Sequence, residues 1–134
     1  MKFKFRVAGI PLWVTIYAGF FMIFSTVLGI RALIDPTTAL GYFPGAEGMG
    51  LAWGGRNAGI GLAQVVAFFT RSPAAYAAVF LACTLREIGD LLSSLAGPPS
   101  TEYIAIGVLA VVEFIAFLLS LRAAIKAKTR AEVL

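Results

Sequence analysis

The segment Leu85-Arg86-Glu87-Ile88-Gly89-Asp90 puts three charged residues inside a stretch that otherwise reads as a membrane-spanning helix. A charge near the centre of such a helix costs about 2.5–3.5 kcal/mol on an insertion scale, so three cost up to roughly 7.5–10.5 kcal/mol. Eight strongly apolar side chains in the same segment (Val79, Phe80, Leu81, Leu85, Ile88, Leu91, Leu92, Leu95) return only roughly 2.4–4.8 kcal/mol. A helix of this composition is not stable alone in lipid. It requires polar partners from elsewhere in the chain.

The rest of the sequence meets that requirement. Of the 134 residues, 60% are hydrophobic, too many for an ordinary soluble domain. Long apolar runs at about 11–33, 49–69, 74–96 and 101–125, joined by short connections, predict one domain over 1–134. The expected fold class is all-α: an integral membrane four-helix bundle, antiparallel and up-down, with each helix satisfying its own backbone. The start of the chain, with Lys2, Lys4 and Arg6, resembles a signal peptide. The apolar run that follows is too long for one and lacks a small-residue cleavage site, so it reads as a retained first helix.

Basic residues fall on alternate connections. The N-terminal arm, the turn at Arg71 and the C-terminal tail carry most of them. The other two connections carry Asp35, Glu47 and Glu102 and no Lys or Arg. This pattern predicts both termini on the cytoplasmic side, in a bacterial inner membrane. It also makes the lipid bilayer, not nucleic acid, the expected partner of the net charge of +4. The tail from Lys126 reads as a short, basic, frayed helix end.

Several chemistries are excluded at once. Histidine is absent, which removes His-ligated haem, His-based zinc sites and Ser-His triads from this chain. Cys83 is the single cysteine, so neither an internal disulfide nor a CxxC pair exists. No dinucleotide, phosphate-loop or metal signature is present. No cofactor is expected.

Five ionisable residues remain inside the spans: Arg56 on the second helix, Arg86, Glu87 and Asp90 on the third, and Glu113 on the fourth. Twelve strongly apolar residues in 104–121 contribute roughly 3.6–7.2 kcal/mol, enough to carry Glu113 into the membrane. Antiparallel threading sets Arg56 and Asp90 at similar depth, with Arg86, Glu87 and Glu113 nearer the middle. Charges at such depth turn inward and pair. Asn57, Ile60 and Gln64 share a face and continue a polar stripe inward from Arg56. Glu87, Asp90 and Ser94 line another.

Two readings of this cluster compete. In the first it fixes helix register as an ion-pair network. In the second the excess carboxyl is a general acid, because a neutral carboxylic acid in an apolar cavity can donate a proton. Asp90 or Glu113 is then the acid and Glu87 the base. Arg56, Asn57, Arg86, Gln64 and Trp53 orient a hydrophobic small molecule for isomerisation, cyclisation or epoxide opening. A non-catalytic subunit that holds a lipid or quinone for a larger complex needs the same residues.

Other features carry weaker expectations. Trp13 and Tyr17 near the start of the first helix read as interfacial aromatics. Arg31 and Asp35 are spaced to pair along one face. Tyr42 and Phe43 give the Pro- and Gly-rich connection over 35–48 an apolar tip, either an interfacial anchor or a lid. The spacings Gly50/Gly54 and Gly55/Gly59 predict close helix approach and leave a homo-oligomer open.

Asp35-Pro36, the second-helix segment Gly55-Arg56-Asn57-Ala58-Gly59-Ile60-Gly61, and Arg86 with Ile88-Gly89-Asp90 together resemble the DoxX-like superfamily of small four-helix membrane proteins, particularly an uncharacterised branch. The resemblance covers about 10–121. It implies a four-helix bundle with Arg56 and Asp90 as shared polar positions. Some members of that group are linked to quinone-coupled sulfur oxidation, a chemistry for which this chain would need a partner subunit.

Overall fold

The computed structural model describes residues 7–37, 47–96 and 102–132. Within them the chain is helical, in four elements: α1 (Leu12–Ile34), α2 (Glu47–Thr70), α3 (Pro73–Ala96) and α4 (Glu102–Glu132). Tyr42 and Phe43, and the side chains of Ser94 and Tyr103, lie outside the described residues.

Local chemistry sets the helix ends. At the α2–α3 turn, Arg71 takes a left-handed φ of 53° and its N–H donates to the carbonyl of Ala67 at 3.0 Å. Ser72 then caps α3, its Oγ accepting the N–H of Ala75 at 3.3 Å, and Pro73 fills the first helical position, where no donor is needed. At the far end α4 runs seven residues past the expected end of its span at 125, as far as Glu132. The stretch Lys-Ala-Lys-Thr-Arg-Ala-Glu is rich in strong helix formers, and Lys128 pairs with Glu132 one turn on at 3.7 Å. The basic tail is therefore a continued helix where a frayed end is expected.

Contacts between elements give their directions. Gly29 lies against Ala58, Gly54 against Ala32, Gly61 against Thr26 and Gly50 against Pro36, so α1 and α2 run antiparallel along their length. Gln64 with Cys83 and Arg56 with Asp90 set α2 antiparallel to α3. Tyr17 with Glu113 and Gly9 with Ala123 do the same for α1 and α4. Only an up-down-up-down arrangement satisfies all three. Its apolar core draws on every helix, through Val14, Ala18, Ala67, Tyr76, Phe80, Cys83 and Ala116.

Gly55 and Gly59 play no part in this packing: a Cβ on either would meet open space. The close approach to α1 is made instead by Gly50, Gly54, Ala58 and Gly61. That corrects one of the two expected glycine pairs.

The distribution of polarity is inverted relative to a soluble bundle. Phe20, Ile23 and Val27 of α1 and Ile104, Val108 and Val111 of α4 are exposed, whereas Thr15, Ser25, Asn57, Gln64, Glu87, Glu113 and Ser120 are buried. Two helices, α1 and the 104–132 portion of α4, are long and apolar enough to cross a membrane. Only 33% and 22% of the residues in their most apolar stretches are buried, so their apolar character is not that of a covered core helix. In α2 and α3, charges and glycines replace apolar residues.

Some of the buried hydroxyls, Ser120 Oγ among them, have no hydrogen-bond partner among the described residues. An unsatisfied buried donor costs about 1–3 kcal/mol. Ser120→Ala is accordingly expected to raise the unfolding midpoint in mild detergent by the equivalent of about 1 kcal/mol. A lower midpoint would mean that the hydroxyl is satisfied.

Candidate functional site

The charged residues of α2, α3 and α4 come together, and they divide into an outer pair and an inner cluster. In the outer pair Arg56 Nη1 and Nη2 donate to Asp90 Oδ1 and Oδ2 at 2.8 and 3.0 Å. This bidentate geometry matches the planar guanidinium to the carboxylate. The two side chains are 37% and 30% exposed. Beside them Met49, Ala52, Trp53 and Arg56 line an open groove of about 300 Å³.

The inner cluster is closed. Arg86 and Glu87 are each 6% exposed at the side chain and Glu113 is wholly buried. Arg86 Nη1 donates to Asn57 Oδ1 at 3.1 Å, Nη2 donates to Glu87 Oε1, and Nη2 lies 3.6 Å from Glu113 Oε1. The guanidinium carbon also stands 6.0 Å from the ring centroid of Phe21 on α1. Asn57 is itself held by its Nδ2, which donates to the Trp53 carbonyl at 2.9 Å. One cation thus ties α2, α3 and α4 together. The two facing carboxyls leave one formal negative charge in excess.

Below this level Gln64 Nε2 donates weakly to Cys83 Sγ at 3.5 Å. Gln64 Oε1, Glu113 Oε2 and Arg86 Nε are buried without a partner among the described residues. From α1, the Tyr17 hydroxyl reaches Glu113 Oε1 at 3.4 Å.

All eight residues singled out in the sequence have a definite place. Arg56, Asp90 and Trp53 form the accessible rim, and Asn57, Arg86, Glu87 and Glu113 form the sealed cluster. Gln64 lies deeper, separated from Arg56 by two helical turns. Asp90, one of the candidate acids, is fully engaged by Arg56. Tyr17 is the residue sequence reasoning placed differently. It turns into the bundle against Phe21, with ring centroids 4.6 Å apart, and meets Glu113 where an interfacial position is expected. Its one sequence signal is the spacing Tyr17–Phe21, which puts two aromatics on one face. At the other end of α1, Asp35 accepts the Thr37 hydroxyl at 2.8 Å, and its backbone N–H donates to the carbonyl of Arg31 at 2.9 Å.

The chain matches no protein-family model, no curated protein and no solved structure.

Proposed function

We propose that this chain is an integral membrane protein that binds a lipophilic small molecule at the Arg56–Asp90 rim, with the inner cluster as a register lock. In this reading all four helices span a bacterial inner membrane, with both termini cytoplasmic. The inverted polarity of the bundle and the alternation of basic and acidic connections support that placement. The pairing of Arg56 with Asp90 supports the likeness to the DoxX-like superfamily, whose resemblance marks those two positions.

The observation that carries the ligand reading is the split of the cluster. Arg86 is enclosed by protein acceptors, whereas Arg56 borders a groove and spends two of its five N–H donors on Asp90. The remaining donors suit a hydrogen-bond acceptor on an apolar molecule, such as the carbonyl of a quinone or an ester. Trp53 gives the groove an aromatic wall. A non-catalytic binding subunit of a membrane complex fits this arrangement.

Native mass spectrometry of protein released from gentle detergent tests the reading. Wild type should carry a discrete apolar adduct, and Arg56→Gln should reduce its occupancy about tenfold or more, the loss of a charge-assisted hydrogen bond. Asp90→Asn should weaken it less, because Arg56 keeps its charge. Only bulk lipid on wild type, or an unchanged adduct on a folded Arg56→Gln, would defeat the proposal.

An acid–base enzyme is a second reading, favoured by one observation. Glu113 Oε2 is unpartnered while Oε1 faces Tyr17 and Arg86, so this carboxyl has a free oxygen in an apolar interior. If the adduct is chemically converted by wild type and persists unconverted on Glu113→Gln, this reading gains over simple binding.

A further inference from the structure

At the opposite end of the bundle a second cavity, of about 440 Å³, opens between the turn before α1 and the last turns of α4. Gly9 forms one wall. It has a left-handed φ of 79°, and a Cβ there would stand 3.2 Å from the Cβ of Ala123, so glycine lets this turn close onto α4. The turn is fixed by the Ile10 N–H, which donates to the Val7 carbonyl at 3.2 Å. The facing wall is α4 itself, with Leu119, Arg122, Ala123, Lys126 and Arg130.

The three cations recur every fourth residue. They therefore form a ladder about 12 Å long on one face of the helix, at 1.5 Å per residue. Among the described residues no carboxylate lies within ion-pair distance of any of them, whereas Lys128, on another face of the same helix, is paired with Glu132. The cavity also has a polarity gradient. Leu119 makes its inner end apolar, Arg122 follows about one turn on, and its Lys126 and Arg130 end is strongly positive. A solvated inorganic ion has no use for the apolar end. A molecule with an anionic head joined to hydrocarbon matches both ends.

We propose that this cavity is a binding site for the phosphate headgroup of an anionic phospholipid, with Arg122, Lys126 and Arg130 as its counter-charges and Gly9 and Leu119 beside the first carbons of the lipid. The site is separate from the Arg56–Asp90 rim, and its proposed ligand does not depend on what that rim binds. Basic pockets at the cytoplasmic boundary are where such headgroups collect, and this end of the bundle is the cytoplasmic one in the orientation proposed above.

The test uses full-length, delipidated protein in a neutral detergent, with phosphatidylglycerol and phosphatidylcholine of identical chains as probes and native mass spectrometry as the readout. Phosphatidylglycerol should bind in clear preference. Lys126→Gln should weaken it about fivefold, and neutralising Arg122, Lys126 and Arg130 together should weaken it on the order of a hundredfold. Lys128→Gln, which removes a charge from the same helix outside the cavity, should have little effect. All these positions are exposed, and Lys126→Gln alone suffices should the triple variant fold poorly. Equal binding of the two lipids, or equal losses in Lys126→Gln and Lys128→Gln, would overturn the proposal. Displacement of phosphatidylglycerol by millimolar inorganic phosphate would overturn the lipid assignment and mark a free-anion site.

Discussion

Replacing Arg86 by Met is expected to destabilise the bundle by about 3–5 kcal/mol, the cost of removing one partner from a buried ion pair. The side chain is 6% exposed, and its loss leaves Glu87 and Glu113 in an apolar interior with no cation. Asn57 Oδ1 loses its donor as well. Arg56→Gln removes the same charge from a pair that is about one-third exposed, where such pairs are worth about 1 kcal/mol or less. The contrast between these two arginines separates a sealed network from a rim. Restoring neutrality should rescue the first variant. Arg86→Met combined with Glu87→Gln and Glu113→Gln is expected to recover most of the loss, because uncharged groups of similar volume carry a much smaller desolvation cost. Unfolding midpoints in mild detergent, by heat or by titration with a harsh detergent, give the comparison. Equal costs for Arg86→Met and Arg56→Gln would show that the inner cluster is not desolvated in solution.

The sequence already contained much of the charged constellation. Charges that cost more than their helix can repay must meet partners, and antiparallel threading sets Arg56 level with Asp90 and Arg86 level with Glu113. Burial depth was harder to read. Threading sets Arg86 nearer the middle than Arg56, but depth along the helix does not say which side chain is enclosed by its neighbours. Exposure differs because Arg86 projects towards Phe21 of α1 whereas Arg56 borders the groove with Met49 and Trp53. Tyr17 escaped for a related reason. A tyrosine near a helix start serves equally at a lipid interface or against a buried carboxyl, and only the position of Glu113 decides.

Gly61→Val should be strongly damaging, at about 3 kcal/mol, the upper part of the usual range for overpacking. A Cβ at this position would fall on Thr26 Oγ1 and within 2.7 Å of the Thr26 backbone nitrogen, so relief requires α1 to move, not merely a side chain to turn. Gly29 is equally confined, by the backbone of Ala58. Gly59→Val is the matched control, because its Cβ would meet nothing within 4 Å. Glycine is a poor helix residue, and Gly59→Ala should even gain about 0.5–1 kcal/mol. The difference was in principle readable from the sequence. At 100° per residue, Gly55 and Gly59 lie roughly 160° around the helix from the buried Asn57, whereas Gly50, Gly54 and Gly61 lie within roughly 60° of it. Spacing identifies a glycine pair, but the polar stripe tells which pair faces inward. The same two variants also test assembly. In an isolated bundle Gly61→Val lowers the unfolding midpoint and Gly59→Val does not. If copies of the chain pack through the open glycine face, Gly59→Val should instead reduce the particle mass in detergent while leaving each bundle folded, an outcome that Gly61→Val cannot imitate.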